Sequence, residues 1–183
     1  MEWNKEVTER VRGAMRDRAR VMACLCGELE KILPSDKAEA AARKAITSYG
    51  CIRAERDGHK ITPDEWVDIH YRDMGGVFET EITKNDEYSE MRMHYCPLLE
   101  EWKAMGLSPE KQDLYCDIAM ELDRNRAAEH DIPILGINFG RIGFLSEIDV
   151  EGISDALDAI ESEQYRTDKC MMLSCSVNGC AAK

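Results

Sequence analysis

The stretch Phe78-Glu-Thr-Glu-Ile-Thr83 alternates Phe78, Thr80 and Ile82 with more polar neighbours, and Met91-Arg-Met-His-Tyr95 repeats the pattern. A period of two is typical of a half-buried β-strand. The polar residues Lys84-Asn-Asp-Glu87 between the two stretches predict a turn. This segment therefore predicts an antiparallel hairpin.

The residues before the hairpin have helical periodicity. We predict helices from Asn4 to about Leu33, from Ser35 to Gly58, and from Pro63 to about Met74. The second helix has an alanine-rich face that permits close approach of another helix. The third starts at the capping box Thr62-Pro-Asp-Glu65 and is expected to end before Gly75-Gly76.

Two further helices are predicted after the hairpin, from Leu98 to Met105 and from Ser108 onward. A short apolar stretch from Ile134 to Asn138, a helix from Ile153 to Ser162 and a strand from Met171 to Val177 follow. The predicted fold class is α+β, with a helical layer packed on a small antiparallel sheet and a C-terminal β-loop-α-β appendage. We expect the appendage strands to extend the hairpin sheet rather than pair with each other, because an isolated two-stranded unit buries little surface.

Composition limits the partners. The formal net charge is -12, which disfavours nucleic acid and anionic membrane surfaces, so a small-molecule substrate is expected. The start Met1-Glu-Trp-Asn-Lys-Glu6 has no apolar leader, and no apolar stretch is long enough to span a bilayer. We therefore expect a cytoplasmic protein whose eight cysteines are reduced. Their spacing lacks Cys-x-x-Cys pairs, so no metal is expected, and the oligomeric state stays open.

Cys96 is the best candidate nucleophile on physical grounds. It falls at the start of the helix that Pro97 opens, where the helix dipole and free N–H groups favour a thiolate. His94 is expected on the same strand face as a base or charge partner, whereas Glu100 and Glu101 would oppose a thiolate. The alternative interpretation is that Cys96 is a small buried residue that caps the helix.

A second cysteine, Cys116, lies in the last predicted helix beside an acidic row. Asp113, Asp117 and Glu121 follow at four-residue spacing, with Arg124 after them. Like charges at this spacing destabilise a helix, so the row is either solvated or faces positive charge. Whether Cys96 and Cys116 approach each other is left open by the sequence.

These motifs resemble the L-2-amino-thiazoline-4-carboxylate hydrolase family. The resemblance covers about residues 1–126 and rests on Tyr49-Gly50, His94-Tyr-Cys-Pro-Leu-Leu-Glu-Glu-Trp102, Met105-Gly-Leu-Ser108 and Leu114-Tyr-Cys-Asp-Ile-Ala-Met-Glu-Leu-Asp-Arg124. It implies a cytoplasmic hydrolase that opens a cyclic amidine to S-carbamoyl-cysteine. The implied site residues are Cys96, Cys116, Asp117 and Asp123, with thiolate attack and carboxylate-activated water as competing mechanisms.

The last third resembles a different family, the NAD kinases. The resemblance rests on Asp131-Ile-Pro-Ile-Leu-Gly-Ile-Asn-Phe-Gly-Arg-Ile-Gly-Phe-Leu-Ser-Glu-Ile148 and on Met171-Met-Leu-Ser-Cys-Ser-Val-Asn-Gly179. It implies that Asn138 and Gly140 line a nucleotide-sized hollow. The Gly-Gly-Asp-Gly segment that the kinase chemistry needs does not occur here, so the alternative function is a nucleotide-binding fragment without catalytic activity. NAD or ATP is expected as a cofactor only under that alternative.

The two resemblances predict two domains, residues 1–126 and 127–183. The segment Arg126-Ala-Ala-Glu-His-Asp131 fits both families as the end of a helix. The strands that complete the hydrolase-like domain in its family are replaced here, so this domain is expected to be C-terminally incomplete. A natural fusion, a gene-assembly accident and a designed chimera all remain open as its origin.

Overall fold

The structure is a computed structural model that describes residues 3–85, 89–132, 137–138, 148–149, 152–166, 176–177 and 180–181. Contacts divide the chain into two compact units, Met1–Ile132 and Pro133–Lys183. Each unit is described by itself. Within the described residues, no helix combines the length and the apolarity that crossing a membrane requires.

The first unit contains five helices and one hairpin among its described residues. In chain order these are α1 (Lys5–Ile32), α2 (Ser35–Asp57), α3 (Pro63–Phe78), β1 (Thr80–Lys84), β2 (Ser89–Met93), α4 (Pro97–Ala104) and α5 (Pro109–Glu129). The strands β1 and β2 are antiparallel, with Thr80 opposite Met93 and Lys84 opposite Ser89. The predicted α+β class is confirmed.

Local sequence patterns explain most of the helix ends. The Asn4 side chain accepts a hydrogen bond from the Val7 N–H and so begins α1. Gly58 ends α2 with a φ of 75°, a left-handed conformation that glycine adopts without strain. The predicted capping box of α3 forms, because the Thr62 and Glu65 side chains each bond to the backbone of the other residue.

The predicted end of α3 at Met74 is wrong, because the helix continues through Gly75 and Gly76 to Phe78. A Cβ at Gly76 would lie 2.7 Å from the Trp3 ring, so glycine allows this ring to pack on the helix. Arg12 donates to the carbonyl oxygens of Gly76 and Val77 at 3.4 and 3.0 Å. Long-range contacts with α1 thus extend a helix that the local sequence alone would end.

The core of this unit lies between α1, α2, α4 and α5. Trp102, Tyr115 and Ile118 are among its largest fully buried side chains, and the Trp102 indole donates to the Ala19 carbonyl at 3.0 Å. The helices α2 and α5 approach most closely at Gly50, where a Cβ would lie 2.7 Å from the Leu122 carbonyl oxygen. This contact fixes which α2 side chains face α5.

The second unit contains short strands and one helix among its described residues. These elements are β3 (Ile137–Asn138), β4 (Ile148–Asp149), α6 (Ile153–Glu161), β5 (Ser176–Val177) and β6 (Cys180–Ala181). In the described part of the chain, β3 pairs in parallel with β4, and β5 pairs antiparallel with β6. The predicted strands 134–138 and 171–177 lie largely outside the described residues, so their addition to the hairpin sheet stays a prediction.

Candidate functional site

Cys96 lies at the N-cap position of α4, as the sequence predicted. Its backbone is extended, and its half-buried side chain packs against the core cluster that contains Leu98 and Trp102. The thiol makes no capping hydrogen bond to the described helix. Its position and packing agree with the alternative interpretation of Cys96 as a small buried residue at the helix cap, although the thiol itself makes no capping bond.

The acidic residues that follow Cys96 have cationic partners. Glu100 accepts a hydrogen bond from Lys103 at 2.7 Å, and the buried Glu101 accepts one from Arg20 at 2.7 Å. The expected opposition of these carboxylates to a Cys96 thiolate is thus offset. Lys103 adds a positive charge whose field reaches both Cys96 and Cys116, a role that the sequence analysis missed.

Cys116 on α5 approaches Cys96, which answers the question that the sequence left open. Both half-buried side chains pack against the same core cluster. Burial raises the pKa of the Cys116 thiol to about 11, and the nearby Cys96 and Asp113 act in the same direction. Cys116 therefore keeps its proton at neutral pH.

His94 does not share a strand face with Cys96, because β2 ends at Met93. The exposed His94 ring instead lies beside the hairpin, with Nε2 3.2 Å from Glu81 Oε2. Its backbone N–H donates to the Phe78 carbonyl at 3.2 Å. The expectation that strand alternation joins His94 to Cys96 is wrong.

Asp117 belongs to an ion-pair cluster between α2 and α5. Arg43 and Arg124 each donate to its carboxylate at 2.6 Å, and both also pair with Glu121. Burial alone would raise the pKa of Asp117, but the two arginine hydrogen bonds lower it below the ordinary value. The acidic row thus faces positive charge, and Asp117 is held as a carboxylate.

Asp123 lies on a different face of α5. Cys116, Ala119, Asp123 and Arg126 follow at spacings of three and four residues, which places them along one side of the helix. Burial raises the pKa of Asp123, although the charges of Arg126, Arg18, Arg53 and Arg124 oppose that rise. Two chemically active side chains of α5 thus share a face that Asp117 does not.

Three residues near this face escaped the sequence analysis. The guanidinium of Arg18 on α1 lies 5.4 Å from the centre of the Tyr49 ring on α2, and Arg53 follows Tyr49 by one turn. The buried Nε2 atom of His70 has no hydrogen-bond partner in the described structure, and burial lowers the pKa of this imidazole. The four-residue spacing of Tyr49 and Arg53, which places both on one side of α2, is the sequence pattern that could have indicated these residues.

The hollows found among the described residues lie elsewhere. One, with about 270 Å³ of space that includes open solvent, is bordered by Cys26, Glu30, Ala38 and Tyr115. Another, of about 210 Å³, lies on the hairpin at Glu81 and Arg92. Neither includes Cys96 or Cys116.

The remaining predicted site residues belong to the second unit. Asn138 is described only as part of β3, and Gly140 lies outside the described residues. Among the side chains that the structure describes, no group of three or more His, Cys, Asp or Glu residues is arranged to hold a metal ion.

Comparison with known families identifies the first unit. The model of the L-2-amino-thiazoline-4-carboxylic acid hydrolase family matches residues 15–139, which is more than half of the chain. The chain belongs to this family. Its members' name-giving chemistry is directed at a cyclic amidine, and the two cysteine motifs of this hydrolase-family chain lie within the matched region.

A second family model overlaps the end of the first. The N-terminal domain of the ATP-NAD kinases matches residues 121–165, so both matches include the C-terminal part of α5. The resemblance of the hydrolase-family chain to NAD kinase in its last third is thereby confirmed.

The curated relatives that the chain matches are NAD kinases. The chain is 47% identical over 47 residues to an NAD kinase of Heliobacterium modesticaldum, covering 26% of this chain and 17% of the relative. It is 35% identical over 95 residues to an NAD kinase of Mycolicibacterium paratuberculosis, covering 44% and 30%. The chain thus spans less than a third of these relatives' length. No solved structure matches it significantly.

Proposed function

We propose that this chain hydrolyses a small cyclic amidine such as L-2-amino-thiazoline-4-carboxylate to S-carbamoyl-cysteine, in the reducing environment of a cytoplasm. The observation that carries the proposal is the approach of Cys96 and Cys116 inside the part that matches the hydrolase family. One thiol lies at a helix N-terminus and the other keeps its proton, which suits a nucleophile and a proton donor.

The reaction starts with the Cys96 thiolate. Its sulfur attacks the ring carbon between sulfur and nitrogen, and the bond from that carbon to the ring nitrogen breaks. The substrate enters as its amidinium, so the ring nitrogen already carries one proton; the departing nitrogen takes a second, which the Cys116 thiol can supply, and becomes the free amine of the product. Water then attacks the same carbon and gives one proton back to Cys116 and the other to the freed amine, while Cys96 leaves as a thiolate and the carbamoyl group remains on the substrate sulfur.

The competing mechanism uses a carboxylate to activate water directly. Asp117 is poorly suited to that role, because two arginines hold it in its charged form. Asp123 is the better candidate base, since burial favours its protonated form once it has accepted a proton. Both mechanisms consume one water and yield the same product.

The test is ring opening of the aminothiazoline acid by wild type, Cys96→Ala and Cys24→Ala, with product followed by mass. Cys24 is exposed and lies outside the core cluster, so Cys24→Ala is the matched control. We expect Cys96→Ala to lose a factor of about 100 or more in kcat, and the control to keep full rate. Equal rates in wild type and Cys96→Ala would exclude the thiolate mechanism, and no turnover by wild type would exclude the hydrolase function.

A second candidate function follows from the kinase-like match. We propose, as the alternative, that residues 121–165 belong to a nucleotide-binding fragment without catalytic activity. NAD and ATP should then raise the thermal unfolding midpoint in proportion to the logarithm of their concentration. The absence of any shift with either nucleotide would remove this alternative.

A further inference from the structure

The arginines of the first unit differ in whether they are paired. Most form ion pairs with a carboxylate, including Arg43, Arg124 and Arg126. Among the described residues, Arg18 and Arg53 have no carboxylate within ion-pair distance, although both are partly buried. In a chain of net charge -12, partly buried guanidinium groups without a paired carboxylate indicate that another anion belongs there.

These two arginines converge from different helices. Arg18 lies on α1, and its guanidinium is 5.4 Å from the Tyr49 ring, while Arg53 lies one turn after Tyr49 on α2. The close contact at Gly50 brings this part of α2 against α5 at Leu122. The charges of Arg18 and Arg53 consequently both act on Asp123.

Asp123 does not satisfy the two arginines. Within the described part of the chain, neither arginine donates a hydrogen bond to its carboxylate, and burial works against its charged form. Asp57 and Asp117 accept hydrogen bonds from arginine at 2.6–2.8 Å. The positive charge beside Asp123 is therefore available to a ligand.

The position relative to the cysteines suggests which ligand. Cys116 and Asp123 lie on one face of α5, seven residues and about 10 Å of helix rise apart. The arginines whose charges act on Asp123 thus lie about two helical turns from Cys116 along α5.

We propose that Arg18 and Arg53 form a carboxylate-binding site that orients a small carboxylate-bearing heterocycle toward the cysteine pair. The inference rests on the proposed hydrolase function for the identity of the heterocycle, since the aminothiazoline acid carries one carboxylate. The guanidinium forks supply bidentate hydrogen bonds to that group.

The experiment compares the aminothiazoline acid with 2-amino-2-thiazoline, which lacks the carboxylate. Arg18→Gln and Arg53→Gln should each raise the KM for the acid about tenfold or more. Both should leave the KM for 2-amino-2-thiazoline unchanged, because this analogue has no carboxylate to bind. Arg56→Gln is the control, because Arg56 is exposed on the same helix and lies outside this group. Arg18→Lys should be intermediate, since it keeps the charge but loses the fork.

Calorimetric binding to the Cys96→Ala protein separates this inference from the proposed function. If wild type shows no turnover but Arg18→Gln weakens binding of the acid, the carboxylate site stands and the hydrolase function falls. If the glutamine variants bind the acid as wild type does, or lose both ligands equally, the carboxylate site is excluded. Failure of the Cys96→Ala protein to bind the acid also excludes it.

Discussion

Asp57 on α2 and Asp123 on α5 are both carboxylates with arginine neighbours, but they differ in what they contact. Asp57 accepts two hydrogen bonds from Arg126 at 2.7 and 2.8 Å, and the His130 Nε2 atom lies 2.9 Å away. Arg126 also stacks 4.4 Å from the Trp66 ring centre. Asp123 has four arginines in its surroundings and a raised pKa.

This difference distinguishes a charged group that stabilises the fold, Asp57, from one whose neighbours are left for a ligand, Asp123. The Asp57 cluster is complete, because the buried His130 Nδ1 also accepts from the Ile61 N–H at 3.4 Å. A complete buried network holds α5 to α2 and to the loop before α3. Asp123, in contrast, accepts no hydrogen bond from Arg18 or Arg53 within the described residues, so these two arginines remain able to bind a ligand. A ligand site is therefore expected beside Asp123.

The largest expected effect is on stability when the complete cluster is broken. Asp57→Ala leaves the buried Arg126 without its counter-charge and the buried His130 without its hydrogen-bond partner, so we expect a loss of about 3–5 kcal/mol in the free energy of unfolding. Urea unfolding followed by tryptophan fluorescence measures it, since Trp66 and Trp102 both lie in the first unit. Asp17→Ala is the control: its pair with Arg20 is exposed, and its removal should cost under about 0.5 kcal/mol. A similar small loss for Asp57→Ala would contradict the structural role.

The second-largest expected effect is on stability when the contact between α2 and α5 at Gly50 is disturbed. In Gly50→Ala the new Cβ would lie 2.7 Å from the Leu122 carbonyl and 2.9 Å from the Asn125 Cβ, so the helices must separate. We expect a loss of about 1–3 kcal/mol. Gly27→Ala, in the interior of α1 with open space around it, should instead stabilise by about 0.5–1 kcal/mol. Denaturation midpoints of the two variants that moved in the same direction would contradict the packing described here.

The smallest expected effect is a pH dependence of opposite sign at the two carboxylates. Burial alone raises the pKa of Asp57, but its hydrogen bonds to Arg126 and His130 lower it overall. Its stabilising contribution is therefore present above the ordinary aspartate pKa and lost as the pH falls through the lowered folded value. For Asp123, burial raises the folded pKa, so its ionisation destabilises the fold as the pH rises through that value.

Unfolding midpoints measured from pH 7 down to well below pH 4 test this contrast. Asp57→Asn should lower stability at pH 7, with the loss diminishing only below the ordinary aspartate pKa of 3.8. Asp123→Asn should raise stability at pH 7, with the gain disappearing toward pH 4. Deviations of the same sign in the two variants would show that the carboxylates do not differ as described.

Features encoded by neighbouring residues were predictable from the sequence. The hairpin, the Thr62 capping box and the N-cap position of Cys96 depend on residues within a few positions of each other. The continuation of α3 past Gly76 was not, because Trp3 and Arg12, which lie more than sixty positions earlier in the chain, contact it.

The candidate site was predictable only in part, for a related reason. Cys96, Cys116 and Asp123 were named from motifs, but the partner that each charged side chain meets is decided by helix packing. Arg43 lies more than seventy positions before Asp117 and still binds it, while Arg18 approaches Asp123 without pairing. The residues that neighbour Asp117 and Asp123 in the sequence do not indicate which of the two carboxylates pairs with a distant arginine.

The central claim is that Asp123 belongs to the ligand site whereas Asp57 serves the fold, and one measurement tests it most directly. The kcat/KM for ring opening of the aminothiazoline acid and the urea midpoint should be determined for Asp123→Asn beside wild type. We predict a fall in kcat/KM of about 100-fold or more with an unchanged or raised midpoint at pH 7. Wild-type kcat/KM in Asp123→Asn, or a loss of stability as large as that of Asp57→Ala, would contradict the account.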